Sequence, residues 1–380
     1  LKNLRGIKKV KKDRKEKKSN GKIDFNDIIN YYRNLLADPF SEINNEYLFS
    51  KGNKSNLDQM LYDFLVKPLA EHIKHKENLI IIPDGVLGLL PFETLKDSNG
   101  IYLIEKFNIM YAQSMGVLNI IKERNYSAGR EPLLAFGGAV YDEIQYSPDM
   151  INTEKQLTFL EKKLYTSFEN QRSVRNAYAS LGVSSWDNLP GTLSEVNNIT
   201  KIVPGTKIYT GNQVTENNVK KLSDNGELAN YKVIHFATHG LVVPEIPELS
   251  AIVLSQFKFE QAGEDGYLRM AEIARLNLKA DFVNLSACET GLGKIYGGEG
   301  VVGLTQSFLI AGANGLSVSL WQVADESTSK FMIAMYKSVQ EQEIGYRKAI
   351  NDTKLRFING EFGDKYKGPF YWAPFVYYGE

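Results

Sequence analysis

The sequence has very few of the side chains that disulfide bonds and metal sites need. Its 380 residues include one cysteine, Cys288, and four histidines. A single cysteine cannot form an internal disulfide bond, so nothing in the sequence indicates an oxidising compartment. One cysteine and four scattered histidines also show no metal-ligand spacing, and we expect no zinc site.

Long apolar runs are missing too. No stretch of eighteen apolar residues occurs, which predicts no membrane-spanning segment, and the N-terminus lacks the apolar core of a signal peptide. We therefore expect a cytoplasmic protein without membrane contact. The first residue is leucine and not methionine, so we also expect the chain to be a piece of a longer protein.

Positive charge is concentrated at one end, although the whole chain has no net charge. Residues 1–22 contain 11 Lys/Arg and only two acidic residues, Asp13 and Glu16. Such a segment can bind nucleic acid or an acidic partner, but no aromatic residue is interleaved with its charges for base stacking. A solvated linker is the favoured interpretation, and nucleic acid is expected at most as an indirect partner.

The rest of the sequence alternates between short apolar runs and helical patterns. Hydrophobic residues make up 43% of the chain, which is enough for a large core. Strands of a sheet covered on both faces are predicted at 78–85, 107–114, 132–138, 231–240, 251–255, 281–288 and 315–323. Helices are predicted at 57–75, 193–203, 300–313 and 325–342. This alternation favours an α/β sandwich with a mostly parallel sheet.

A long polar stretch interrupts the alternation. Residues 141–187 are rich in Tyr, Ser and Asn, which predicts a functional loop or a mobile insertion. We place a boundary at this stretch. The predicted parts are a basic linker and extension at 1–56, an N-terminal half at 57–187 that includes the insertion, and a C-terminal half at 188–380.

Two predicted strands end in residues that nucleophilic catalysis uses. His239 and Gly240 end the first of them, and Cys288 ends the second. Parallel sheets carry their sites where strands end, so neighbouring strands would bring the imidazole and the thiol together. The histidine would then take the thiol proton, and the resulting thiolate would attack a carbonyl. The backbone N–H groups of Gly240 and Cys288 would face the developing oxyanion.

The residues alone leave two interpretations of Cys288 open. Lone cysteines are mostly buried core residues, whereas a strand-end cysteine beside a histidine is typical of a nucleophile. His235 lies earlier in the same predicted strand as His239, and we expect it to be packed in the core.

Several blocks of the sequence resemble the CHAT domain, a caspase-like and separase-like cysteine peptidase module commonly found behind tetratricopeptide repeats. They include VIHFATHG, FVNLSACETGLG, GGEGVVGLTQSFLIAGANGLSVSLWQVADESTSKFM and GPFYWAPFVYYGE. The order and separation of the His-Gly and Ser-Ala-Cys-Glu-Thr motifs make the resemblance specific. It covers about residues 57–380, apart from the insertion, and it favours the catalytic interpretation of Cys288.

The resemblance implies a caspase–haemoglobinase-like α/β sandwich, in which an N-terminal pseudo-protease half packs on an active C-terminal half. It implies that His239 is the catalytic histidine, that Cys288 is the nucleophile, and that Glu299 orders the loop after the cysteine. Asp325 matches an aspartate that lines the pocket for a basic P1 side chain in separases. If Asp325 instead caps the helix that follows it, Trp321 and apolar neighbours would line that pocket.

The implied function is hydrolysis of a peptide bond in a protein substrate by a Cys–His dyad, through a thioester intermediate and without metal or cofactor. Modules of this family are usually controlled by an attached tetratricopeptide-repeat domain or by a regulatory partner. The main alternative is a non-catalytic scaffold of the same fold that binds a partner protein, and the intact Cys/His pair argues against it. Acyl transfer or amide hydrolysis on small molecules would use the same nucleophile.

Overall fold

The computed structural model describes residues 24–39, 57–141, 186–243, 247–256, 264–286, 288–289, 299–321 and 325–380. Of residues 288–289, 299–302 and 325 it describes the backbone. The basic segment 1–22 and most of the predicted insertion at 141–187 lie outside the described residues. No helix in the described part has both the length and the apolar character needed to span a bilayer.

Strands in the described part of the chain form two sheets. They are β1 (Asn78–Ile81), β2 (Asn108–Tyr111), β3 (Glu131–Gly137), β4 (Lys207–Thr210), β5 (Tyr231–Ala237), β6 (His239–Leu241), β7 (Ala251–Val253), β8 (Tyr267–Arg269), β9 (Phe282–Leu285), β10 (Cys288–Glu289), β11 (Gly315–Ser319) and β12 (Phe375–Gly379). The main sheet has the spatial order β1-β2-β12-β11-β9-β5-β3-β4, and the second has the order β10-β6-β7-β8. In the main sheet every neighbouring pair is parallel except β11 with β12.

Helices cover both faces of the main sheet. They are α1 (Phe25–Ala37), α2 (Leu57–Leu65), α3 (Ala70–Ile73), α4 (Met115–Lys122), α5 (Pro190–Ile202), α6 (Glu216–Asp224), α7 (Met270–Ile273), α8 (Glu299–Ala311), α9 (Asp325–Gln342), α10 (Tyr346–Ile358) and α11 (Pro369–Trp372). In β5, His235 contacts Glu195 of α5 and Tyr336 of α9, whereas Phe236 packs near Phe308 of α8. Successive strand residues point to opposite faces, so α5 and α9 lie on one face and α8 on the other. The predicted α/β sandwich with a mostly parallel sheet is confirmed.

The main sheet crosses the predicted boundary between the two halves. β3 lies in the range 57–187, but it pairs with β4 and β5 from the range 188–380. β2 in turn pairs with β12 from the end of the chain. Both ranges therefore build one sheet, and their division into a pseudo-protease half and an active half stays a prediction.

Helix α1 lies within the predicted extension at 1–56 and packs on the folded core. The Tyr32 hydroxyl donates a hydrogen bond to Thr94 Oγ1 at 2.9 Å, and Arg33 Nη2 donates one to the Leu320 oxygen at 2.6 Å. Both side chains are buried. The sequence pattern did not predict this helix, which joins the extension to the rest of the fold.

Candidate active site

Two neighbouring strands of the main sheet lead into the second sheet. β5 ends at Ala237 and β6 begins at His239, while β9 ends at Leu285 and β10 begins at Cys288. β5 pairs with β9 in parallel, and β6 pairs with β10 in parallel. The strands that carry His239 and Cys288 are therefore neighbours, which is the condition that the sequence left open.

The pairing of Cys288 with His239 continues the register of the buried strands before them. His235 pairs with Asn284 in the main sheet, and His239 pairs with Cys288 in the second, so both pairs are 49 residues apart in the chain. Register is strongly specified where strand faces are buried, and β9 is buried at every position. Adjacent strands lie about 4.8 Å apart. The apolar register of β5 and β9 thus makes the His239 and Cys288 backbones next neighbours.

The His239 imidazole is held by a main-chain oxygen. Only 4% of this residue is exposed, and its Nε2 lies 2.7 Å from the carbonyl oxygen of Asp187. A carbonyl oxygen can only accept a hydrogen bond, so Nε2 carries a proton and donates it. In the neutral ring the basic lone pair is then on Nδ1. This contact selects both the tautomer and the orientation of the ring.

Two aromatic rings pack against the same imidazole. The ring centroid of Trp186 lies 4.8 Å from that of His239, and the centroid of Tyr141 lies 5.0 Å away at a steep angle. The Tyr141 hydroxyl accepts from the His239 N–H at 3.4 Å and donates to the Val253 oxygen at 3.0 Å. Burial raises the pKa of Tyr141, so the hydroxyl stays protonated at neutral pH. These two ring contacts restrict the orientation of the imidazole.

His235 lies in the core, as its place in the middle of an apolar run predicts. Its Nδ1 lies 2.9 Å from Asn284 Nδ2 and 3.0 Å from the Tyr336 hydroxyl. Because the amide nitrogen donates, Nε2 carries the ring proton, and it faces Glu195 Oε1 at 2.9 Å. This last approach is close but poorly aligned for a hydrogen bond. Both residues of the pair are buried, so the pair joins β5 to α5 beneath the candidate site.

The other predicted residues fall around the same sheet ends. Gly240 follows His239 and pairs with Glu289 of β10 and Ile252 of β7, so its backbone borders the Cys288 position. Asp325 begins α9, shortly beyond β11, and β11 pairs in parallel with β9. The oxyanion role of Gly240 and the pocket role of Asp325 stay predictions.

Two further predicted residues have a described position but an untested role. Glu299 is the first residue of α8. Trp321 is 3% exposed, and its Nε1 donates to the Phe370 oxygen at 3.0 Å. Of Glu299, Cys288 and Asp325 the structure describes the backbone and not the side chain, so the loop-ordering role of Glu299 stays a prediction.

Sequence reasoning missed the residues that hold His239. Tyr141, Trp186 and Asp187 border the polar stretch at 141–187, far from His239 in the chain. Asp187 acts through its main-chain oxygen, which any residue type has, so no residue pattern could have shown it. Trp186 offered a signal, because a tryptophan at the end of a polar stretch indicates a place where the chain returns to the core.

A family model for the CHAT domain matches residues 56–380 of the chain. The chain therefore belongs to the CHAT domain family, and the resemblance seen in its sequence is confirmed.

The chain is also similar to human tetratricopeptide repeat protein 28, with 23% identity over 316 residues. That alignment covers 73% of this chain and 11% of the human protein, so the chain spans a small part of its relative. Among solved structures it is similar to Saccharomyces cerevisiae separase in a separase–securin complex, with 15% identity and a TM-score of 0.40 over 77% of this chain and 15% of that chain. It is similar to gingipain R of Porphyromonas gingivalis, an Arg-specific cysteine proteinase, with 10% identity and a TM-score of 0.43 over 94% of this chain and 74% of that chain.

Proposed function

We propose that the chain is a cysteine endopeptidase in which Cys288 is the nucleophile and His239 the general base. The observation that carries this proposal is the in-register pairing of these two residues on adjacent parallel strands. Paired positions on adjacent strands lie on the same face of a sheet. A thiol and an imidazole at such positions are within reach of a proton transfer, the step that produces a nucleophilic thiolate.

In the proposed reaction Nδ1 of His239 takes the thiol proton, and the sulfur of Cys288 bonds to the carbonyl carbon of the substrate peptide. The N–H groups of Gly240 and Cys288 stabilise the oxyanion that forms. The imidazolium then gives its proton to the leaving amine as the C–N bond breaks, which leaves a thioester. Water attacks the thioester while His239 takes a proton from it, and the sulfur leaves as the thiolate.

The hydrogen bond from His239 Nε2 to the Asp187 oxygen supports this division of roles between the two ring nitrogens. It keeps the proton on Nε2, so Nδ1 is the atom that gains and loses a proton during the reaction. Hydrogen bonds from a charged donor are stronger than those from a neutral one. The Asp187 carbonyl therefore stabilises the imidazolium more than the neutral ring.

An extended peptide is the substrate class that we propose. β10 is the outermost strand of the second sheet among the described strands. An open strand edge binds an extended peptide through main-chain hydrogen bonds, and a small acyl donor does not need such an edge. A protein substrate is therefore favoured over the small-molecule chemistry that the same nucleophile could perform.

We also propose that Asp325 selects Arg or Lys at P1 and that Glu299 orders the loop after Cys288. If Asp325 instead caps α9, Trp321 and apolar neighbours would line the pocket. The support is position: Asp325 begins a helix next to the strand end that leads to Cys288. We propose control by an attached repeat domain or a partner protein, since the human relative is named for its tetratricopeptide repeats.

Mass spectrometry of the products from a peptide library tests the proposal. With the full-length protein and its partner, we expect cleavage by the wild type and a loss of at least about a thousandfold in Cys288→Ala and His239→Ala. His72→Ala removes an exposed histidine beyond the site and serves as the matched control, with the wild-type rate. Wild-type turnover in either dyad variant would contradict the assignment, and partner binding without any cleavage by the wild type would favour the scaffold.

A further inference from the structure

A single row of paired positions crosses the second sheet at the proposed dyad. Cys288 pairs with His239, and His239 pairs with Val253. Val253 pairs in turn with Tyr267. Paired positions share a face of the sheet, so His239 and Tyr267 lie on one face, two strands and about 10 Å apart. The indole of Trp186 bridges them, with ring centroids 4.8 Å from His239 and 6.4 Å from Tyr267.

We propose that Trp186 is a positioning residue for His239, an inference that rests on the proposed peptidase function. The torsion angle about the Cβ–Cγ bond of a histidine has no sharply preferred value. Contacts must therefore select the ring angle at which Nε2 meets the Asp187 oxygen. The indole supplies such a contact, and it is itself fixed. Trp186 is 7% exposed, and its Nε1 donates to the Tyr267 hydroxyl at 3.0 Å.

Chain connectivity strengthens the effect of the indole. Trp186 and Asp187 are consecutive, so one short segment supplies both the ring that packs on His239 and the oxygen that accepts from it. The segment is anchored at its other end, where Asn188 Oδ1 accepts from the Tyr141 N–H at 3.0 Å. Tyr141 packs on the imidazole as well. Loss of the indole should therefore release the imidazole and the Asp187 carbonyl together.

The indole also acts on the charge of the ring. A cation within about 6 Å of an aromatic centroid is stabilised by the ring face, and tryptophan is the strongest partner. Among the described residues, the titratable groups nearest the His239 ring are Tyr141, which burial keeps neutral, Cys288 at the paired position, and Tyr267, which accepts from the Trp186 indole on the same face of the sheet. Asp187 meets the ring with its main-chain oxygen. Removing the indole should thus slow proton transfer and leave substrate binding nearly unchanged, which lowers kcat but not KM.

Kinetics of three variants test this role. Trp186→Ala should lower kcat by roughly 10- to 100-fold with KM within about twofold, because a misplaced catalytic group costs rate and not binding. Trp186→Phe keeps a ring in place and should lose less than about fivefold, and Tyr267→Phe, which frees the indole N–H, should fall between the two. The pH profile of kcat should shift in Trp186→Ala and stay in place in Trp186→Phe. Wild-type kcat and an unchanged pH profile in Trp186→Ala would overturn the proposal.

Tryptophan fluorescence gives a second readout that needs no substrate. An imidazolium quenches an indole that it touches, so wild-type emission should change in a pH titration as His239 gains its proton. The change should vanish in Trp186→Phe, which keeps Trp321 and Trp372 as background, and in His239→Ala, but not in His72→Ala. A transition that survives in His239→Ala would overturn the contact. If the library shows no cleavage while this transition is present, the peptidase proposal fails and the Trp186–His239 contact stands.

Discussion

Replacing Lys354 by methionine should destabilise the protein strongly, because it breaks an ion pair that is buried on both sides. Lys354 Nζ on α10 lies 2.6 Å from Glu93 Oε1, and each residue is 1% exposed. The Tyr111 hydroxyl donates to the other carboxylate oxygen at 2.5 Å. Burial lowers the pKa of Lys354, and the Glu93 carboxylate opposes that shift. Without the ammonium, a carboxylate remains in the core with one neutral donor.

The expected cost follows from that arrangement. Removing one partner of a buried ion pair costs about 3–5 kcal/mol, since the other charge is left uncompensated. At a urea slope of about 3 kcal/mol per M, the unfolding midpoint should fall by at least about 1 M. The double variant Lys354→Met/Glu93→Gln removes both charges and keeps an acceptor for Tyr111, so it should recover most of the loss. A loss below about 1 kcal/mol in Lys354→Met, or no recovery in the double variant, would mean that the Lys354 ammonium does not compensate the Glu93 charge in the core.

Three further changes test other parts of the account. His235→Ala should lower the free energy of unfolding by about 3 kcal/mol, because Asn284 and Tyr336 lose a buried hydrogen-bond partner and a cavity is left in the core; a urea midpoint equal to the wild type would contradict this. Burial raises the pKa of Glu216 from 4.5 to about 7, and the charges of Glu272 and Asp265 add to this shift. The folded protein therefore holds a proton that the unfolded chain loses above pH 4.5. The stability that this proton provides is present below pH 4.5 and is lost as the pH rises to about 7. Glu216→Gln should flatten that part of the stability–pH curve measured by urea midpoints, and an unchanged slope would speak against it. Asp325→Ala should lose the preference for Arg and Lys at P1 but keep turnover; a library preference for apolar P1 residues that the variant leaves unchanged would rule out the acidic pocket.

The parts of the fold that the sequence predicted are those with a continuous local pattern. The helix at 325–342 has the predicted bounds, and the apolar runs at 231–240 and 281–288 do contain the central strands. The same runs hide the break at Thr238, where β5 ends and β6 begins. An apolar run continues through such a break, because both strands are buried, so composition cannot show that one sheet gives way to another.

The unpredicted features depend on contacts between distant segments. β12 inserts between β2 and β11 and is antiparallel only to the latter, an order that no local pattern contains. At the candidate site the sequence indicated that His239 and Cys288 end two strands, and their pairing depends on those strands being neighbours. The contacts that hold His239 were not predictable. The Asp187 oxygen is a main-chain acceptor with no residue signature, and Trp186 indicated a return of the chain to the core but not its packing on a histidine some fifty residues away.

The alkylation rate of Cys288 distinguishes a thiolate activated by His239 from an ordinary thiol. Cys288 is the only cysteine in the sequence, so uptake of iodoacetamide reports on that thiol alone. At pH 6.5 a free cysteine is only about 1% thiolate. If His239 takes the thiol proton, the wild type should be alkylated faster than free cysteine at this pH, and His239→Ala should fall to the free-cysteine rate or below. A wild-type rate no faster than free cysteine, and unchanged in His239→Ala, would contradict the Cys288–His239 dyad.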